Sequence, residues 1–139
     1  MRRYTSPRKV AWKALLEFEE SHSDPDEILD RAIPAGAPDR DRALAWEITK
    51  GTIKYLRKLD FIAQAFMRAP LSSQKAEVRA ALRIGFYQLS EMSGVPQFAA
   101  VDETVSILSE TKMKRDAGFV NAVLRSYLRE PGKVQFPDR

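Results

Sequence analysis

The most regular hydrophobic pattern in this chain lies between residues 78 and 89 and has the period of an α-helix. One face of this segment carries Val78, Leu82, Gly85 and Leu89. Three further apolar residues widen that face beyond a surface stripe: Ala81, Ile84 and Phe86. We therefore predict a mostly buried helix, in which the small residue Gly85 allows another helix to cross closely.

A turn and a second helix follow this segment. Ser93 and Gly94 are expected to end the first helix, because glycine is favoured where a helix stops. Pro96 is suited to the first turn of the next helix. The packed face of that helix is expected to carry Val101, Thr104, Val105 and Leu108. The region from 79 to 105 thus predicts two packed helices around which the rest of the chain is organised.

The remaining helices are predicted from similar periodicities together with their start and stop signals. Ser6 and Pro7 begin the first helix, as a capping hydroxyl followed by proline in the first turn. Others are expected at about 24–32, 39–56, 59–67 and 115–130, with Ser72 or Ser73 capping the long helix. Since no segment alternates long enough to predict a strand, we expect an all-α bundle of about seven helices.

Composition limits the class of protein further. A chain of 139 residues with 44% hydrophobic and 30% charged residues has the length and balance of one globular domain. It has no cysteine, which excludes disulfides and thiolate chemistry and fits the reducing cytoplasm. The basic N-terminus has no apolar core of a signal peptide, and no apolar run is long enough to span a membrane.

The residues offer no candidate for catalysis, cofactor binding or metal binding. His22 is the sole histidine and lies in a polar segment without a second ligand. The six glycines are scattered, so no phosphate-binding or cofactor-binding loop is formed. We therefore expect no catalysis and no cofactor binding by this chain alone. Glu103 and Asn121 are polar residues beside apolar faces, and we expect them to form buried or semi-buried hydrogen bonds between helices.

Positive charge is concentrated at two places in a chain of net charge +4. The first thirteen residues hold five cations and no acid: Arg2, Arg3, Arg8, Lys9 and Lys13. A second group begins the last helix: Lys112, Lys114 and Arg115. Because cations near a helix N-terminus oppose the helix dipole, an anionic partner is a reasonable expectation for them. A solvated terminus without a partner is the alternative.

Several short motifs occur in an order that resembles the NusB family. They are Gly51-Thr52-Ile53, Leu59-Asp60, Leu82-Arg83-Ile84, Tyr87-Gln88-Leu89, Val95-Pro96, Val101-Asp102-Glu103 and Phe119-Val120-Asn121-Ala122-Val123-Leu124. The resemblance covers residues from about 6 to 130 and rests on the order and spacing of these motifs together. It implies a NusB-like bundle of two packed subdomains at 1–130, followed at 131–139 by the start of a linker or a C-terminal tail.

Two branches of that family share the domain, and the resemblance implies RNA binding in both. One branch is the free-standing transcription antitermination factor, which binds RNA together with NusE. The other is the N-terminal domain of the RsmB/Sun-type 16S ribosomal RNA (cytosine-C5) methyltransferases. Arg125, directly after Val123-Leu124, and the tail that continues from Pro131 look more like the methyltransferase branch.

The resemblance implies that the arginine-rich N-terminal segment lies on the RNA-binding side of the domain. Arg2, Arg3, Arg8, Lys9 and Lys13 are then the first candidates for phosphate contacts, and Lys112, Lys114 and Arg115 are the second. A protein-interaction or homodimerisation bundle without RNA binding stays open as an alternative. So does the question of whether the chain is a truncated form or a complete protein.

Overall fold

The computed structural model describes residues 6–137, which contain seven α-helices and no strand. The helices are α1 (Pro7–Ser21), α2 (Pro25–Ala32), α3 (Asp39–Lys54), α4 (Leu56–Gln64), α5 (Ala76–Glu91), α6 (Gln97–Glu110) and α7 (Lys114–Arg129). Short 3-10 helices occur at Leu71–Ser73 and Pro131–Lys133. The predicted all-α architecture is confirmed, and no described helix is long and apolar enough to cross a membrane.

Helix α5 is the centre of the domain and contacts α1, α3, α4, α6 and α7. Its buried residues occupy more than one face, which explains why the sequence shows a widened apolar face rather than a stripe. A Cβ built on Gly85 would lie 2.8 Å from a methyl carbon of Leu124 in α7. The predicted close crossing at Gly85 is therefore confirmed, and α7 is the helix that crosses.

The apolar interior consists of two clusters of buried side chains. The larger one surrounds α5, whereas the smaller one lies between α1, α2 and α3. The smaller cluster contains Val10, Ala14, Ile28, Leu29, Ile33 and Ala45. Helices α1 and α3 contribute residues to both clusters, so they form the wall that joins the two packed parts of the bundle.

The helix ends follow most of the predicted signals. The Ser6 hydroxyl accepts a hydrogen bond from the Lys9 amide at 3.2 Å, and Asp24 accepts one from the Asp26 amide at 3.0 Å. Gly94 adopts a φ of 81°, a left-handed conformation that favours glycine in the turn before α6. These contacts explain why α1 and α2 begin where they do, and why the chain can turn between α5 and α6.

Two boundary predictions are wrong. Ser72 and Ser73 lie in the 3-10 helix Leu71–Ser73 and do not cap α5, which Lys75 precedes without a side-chain cap. Helix α4 begins at Leu56 and ends at Gln64, whereas the predicted range is 59–67. It begins early because Tyr55 is the one residue that separates α4 from α3. Gln64 then holds the following loop by accepting a hydrogen bond from the Leu71 amide at 2.8 Å.

Candidate nucleic-acid interface

The candidate cations of α1 differ in how accessible they are. Lys13 is exposed and Lys9 is partly exposed, and neither has an ion-pair partner among residues 6–137. Arg2 and Arg3 lie outside the described residues. Lys9 and Lys13 are therefore the N-terminal candidates that the structure places on the surface.

Arg8 has an internal role that the sequence did not indicate. Its Nε donates to Gln88 Oε1 at 2.6 Å, and its Nη1 donates to Glu103 Oε1 at 2.9 Å. The Arg8 side chain is 11% exposed, whereas that of Glu103 is 56% exposed. Arg8 thus joins the start of α1 to α5 and α6, and its guanidinium is already engaged by protein acceptors.

Gln88 lies at the centre of this contact and is buried. Its amide nitrogen donates to the Ile84 carbonyl and to the Thr104 hydroxyl, both at 3.0 Å. With Arg8 on its oxygen, the Gln88 amide has both its donor and acceptor sides satisfied inside the bundle. One buried glutamine therefore fixes the positions of α1 and α6 relative to α5.

A second contact fixes the direction of α1 along α5. The Trp12 indole nitrogen donates to the Glu77 carbonyl at 3.0 Å, in the first turn of α5. Since Arg8 contacts Gln88, α1 runs from the later part of α5 towards its start. Along the α5 axis, Gln88 and Glu77 are about 16 Å apart. The Trp12 side chain is buried.

The second candidate cluster lies near that same start of α5. Lys112, Lys114 and Arg115 are all exposed, and Lys112 adopts a φ of 63° in the turn before α7. Asp116 accepts a hydrogen bond from Lys75 at 3.0 Å, which places the first turn of α7 beside the beginning of α5. The start of α7 and the Trp12 end of the α1–α5 contact therefore both lie near the beginning of α5.

Glu103 and Asn121 were expected to bond between helices, and the structure separates the two cases. Glu103 does so through Arg8, but its side chain is largely exposed. Asn121 accepts instead from Arg125 Nε at 2.9 Å within α7, so the prediction is wrong for this residue. Arg125 Nη2 then reaches Asp102 Oδ1 in α6 at 2.9 Å, and it is Arg125 that joins the two helices.

A further ion-pair network joins α1, α4 and α5. Arg83 binds Asp60 through two hydrogen bonds of 2.8 and 2.9 Å, and its third nitrogen donates to Glu19 at 3.0 Å. Glu19 also pairs with Arg79. The hydrogen bond with Arg79 lowers the pKa of Glu19 despite its burial. The carboxylate therefore stabilises the fold at neutral pH, and this stabilisation decreases as the pH falls through its lowered pKa.

No candidate metal site occurs within residues 6–137. That part of the chain contains no cluster of three metal-ligating side chains. His22 follows α1 with a φ of 57°, and its ring makes an edge contact with Phe18 at a centroid distance of 6.1 Å. Asp24 caps α2, which is the role expected for an acid at a helix start.

The structure thus defines an all-α domain whose polar motifs join its helices and whose candidate RNA-binding cations include exposed residues of α1 and of the start of α7. The NusB family model matches residues 5–129, and the chain belongs to the NusB family. The motif residues meet in space: Arg83 binds Asp60, Arg125 binds Asn121 and Asp102, and the Tyr87 ring occupies the space beside Gly51.

Two curated relatives show which members of the family are similar in sequence. The ribosomal RNA small subunit methyltransferase B of Vibrio cholerae is 40% identical over 105 residues, covering 73% of this chain and 24% of the relative. The probable ribosomal RNA small subunit methyltransferase B of Bacillus subtilis is 33% identical over 127 residues, covering 91% and 28%. The chain spans about a quarter of the length of these relatives.

Solved structures share the fold at lower sequence identity. A structure of the antitermination factors NusB and NusE in complex with double-stranded RNA matches with a TM-score of 0.81 at 16% identity, covering 88% of this chain and 93% of that one. NusB of T. maritima matches with a TM-score of 0.80 at 22% identity, covering 94% and 98%. These likenesses confirm the NusB fold of the bundle.

Proposed function

We propose that this chain is an RNA-binding domain that positions small-subunit ribosomal RNA for a cytosine-C5 methyltransferase in the cytoplasm. The observation that carries the proposal is the similarity to ribosomal RNA small subunit methyltransferase B, at 40% identity in one relative and 33% in another. In this proposal the chain itself carries no methyl-transfer chemistry and binds no S-adenosylmethionine, because it has no cysteine to attack the cytosine ring.

The exposed cations of α1 and α7 support the proposal. Lys9 and Lys13 would neutralise phosphates together with Arg2 and Arg3. A second group of cations lies at the start of α7, near the beginning of α5. That group comprises Lys112, Lys114 and Arg115. Phosphate contacts of this kind give affinity without reading the base sequence.

Arg8 has a positioning role in this proposal rather than a role as a phosphate ligand. Its guanidinium binds Gln88 and Glu103 and is mostly buried, so little of it faces solvent. The contact holds the first turn of α1 against α5 and α6. It would thereby present Lys9 and Lys13 in a fixed direction.

Antitermination together with NusE is the alternative function for this chain within RNA binding. The structure that contains NusE is 16% identical to this chain, so the likeness concerns the fold alone. The methyltransferase hypothesis is favoured because the relatives at 40% and 33% identity are named as ribosomal RNA small subunit methyltransferase B. A dimerisation bundle without RNA binding is the third hypothesis, and measurements of RNA binding and self-association distinguish it from the other two.

The proposal is tested by titrating the purified chain into a fluorescently labelled small-subunit ribosomal RNA hairpin and recording fluorescence anisotropy. We expect saturable binding at low salt that weakens as salt rises, because binding releases counterions. Sedimentation velocity over the same protein concentrations reports self-association. An absence of RNA binding at low salt, with a concentration-dependent dimer, would contradict the proposal and favour the dimerisation bundle.

A further inference from the structure

A group of aromatic and cationic side chains covers α4 and the segment that follows α7. Phe61 and Phe136 are 42% and 52% exposed, and their rings are stacked with centroids 5.4 Å apart. Phe136 belongs to residues 131–137, which return from the end of α7 to lie over α4. We call this surface the aromatic platform, and it is formed by Lys54, Tyr55, Arg57, Lys58, Phe61 and Phe136.

The cations of the platform lie directly against its rings. Lys58 Nζ is 5.8 Å from the centroid of Tyr55 and 5.9 Å from that of Phe136. Lys54 Nζ lies 5.3 Å from the centroid of the Tyr55 ring. Arg57 is exposed and stands one helical turn before Phe61, so the two side chains are neighbours on α4. Positive charges and aromatic rings therefore lie side by side on this surface.

One acidic residue neutralises one of the three cations of this surface. Lys58 pairs with Glu91 at 2.7 Å, and the Glu91 side chain is 15% exposed. Asp60, the acid of α4, is turned towards Arg83 and held there by two hydrogen bonds. Lys54 and Arg57 have no ion-pair partner among residues 6–137. The platform thus keeps a net positive potential beside exposed aromatic faces.

We propose that the aromatic platform is a second binding site, which takes a single-stranded RNA segment. Single-strand sites combine cations that follow the backbone with aromatic rings on which bases stack, whatever the base sequence. Phe61 and Phe136 offer the stack, and Lys54 and Arg57 offer the phosphate contacts. An apolar protein surface would satisfy the rings but would leave these cations desolvated without a partner, so RNA is the favoured occupant.

The platform differs from the candidate interface on α1 and α7 in the chemistry that it offers. Lys9, Lys13 and the cations of α7 provide charge, whereas the platform adds two exposed rings to its charge. It is therefore expected to bind single strands with little dependence on sequence and to prefer them to a duplex, whose bases are already stacked.

The test uses an unstructured oligouridine of about 12 nucleotides, within the usual range of single-strand site sizes. Phe61→Ala removes one ring of the stack, and Phe61→Tyr retains it. Phe98→Ala is the matched control, because Phe98 is 66% exposed on α6 and has no cation–aromatic contact within residues 6–137. Circular dichroism verifies that each variant is folded.

We expect Phe61→Ala to weaken oligouridine binding by about 5-fold or more, and Phe61→Tyr and Phe98→Ala to bind as the wild type does. The same comparison in a Lys9→Ala/Lys13→Ala background shows that the effect is independent of the α1 cations. An unchanged affinity of Phe61→Ala in both backgrounds would overturn the proposal. If that variant instead altered self-association, the platform would be a protein-contact surface.

Discussion

Gly51 and Gly118 both lie inside helices, but their surroundings differ completely. A Cβ built on Gly51 would lie 2.2 Å from the Tyr87 ring, whereas no atom lies within 4 Å of one built on Gly118. Gly51 is thus required for the packing of α3 against α5, and Gly118 is not required for any contact of this kind. The two positions separate the effect of packing from that of helix propensity.

We expect Gly51→Ala to destabilise the domain and Gly118→Ala to stabilise it. Alanine at either position gains up to about 1 kcal/mol of helix propensity. At Gly51 the displaced Tyr87 ring should cost more than this, since overpacking a core costs about 1–3 kcal/mol. Urea unfolding followed by circular dichroism measures both changes, with Gly118→Ala as the control. Equal stabilisation by the two substitutions would mean that α3 and α5 are not in close contact.

At the scale of the helices, features that depend on neighbouring residues could be predicted from the sequence, whereas contacts between residues far apart in the chain could not. The start of α1 at Ser6-Pro7, the cap at Asp24 and the turn at Gly94 depend on neighbouring residues, and the sequence shows them directly. Arg8 differs because its partners Gln88 and Glu103 are 80 and 95 residues away. No periodicity reveals which of several cations is taken up by such a contact.

The seating of α1 depends on Arg8, and this can be measured apart from RNA binding. Arg8→Ala leaves the buried Gln88 oxygen without its donor, and we expect a loss of about 1–3 kcal/mol in the free energy of unfolding. Glu103→Gln keeps the Arg8–Gln88 contact and removes an exposed ion pair, which contributes less than about 1 kcal/mol. Thermal unfolding of both variants tests this difference.

A different result for Arg8→Ala would contradict the positioning role of Arg8. If Arg8→Ala lowered RNA affinity without lowering the melting temperature, Arg8 would be a phosphate ligand with no part in seating α1. That outcome would return Arg8 to the group formed by Lys9 and Lys13 and would contradict its role as a positioning residue.

At the scale of the whole molecule, the NusB fold and the approximate helix ranges could be predicted from the sequence, but the aromatic platform could not. The platform depends on the return of residues 131–137 over α4, and the sequence from Pro131 indicated only a tail or a linker. Phe61 and Phe136 are 75 positions apart in the chain, so nothing in the local pattern connects them. The surface cations, by contrast, can be identified in the sequence, but the sequence does not show which of them form ion pairs.

We expect the exposed cations of α1 to bind phosphates, and removing Lys9 and Lys13 together tests this expectation. Each phosphate neutralised on single-stranded RNA contributes about −0.7 to the slope of log affinity against log salt. The matched control is Arg31→Ala/Lys50→Ala, which removes the same charge from residues paired with Glu17 and Asp26.

The most direct measurement is therefore the salt dependence of binding to a small-subunit ribosomal RNA hairpin, compared between wild type, Lys9→Ala/Lys13→Ala and the control variant. We expect the Lys9→Ala/Lys13→Ala slope to be shallower than the wild-type slope by roughly 1–1.5, with base preference retained. The control should keep the wild-type slope. Slopes that are equal for wild type and Lys9→Ala/Lys13→Ala, with equal affinities, would contradict the claim that the start of α1 binds RNA.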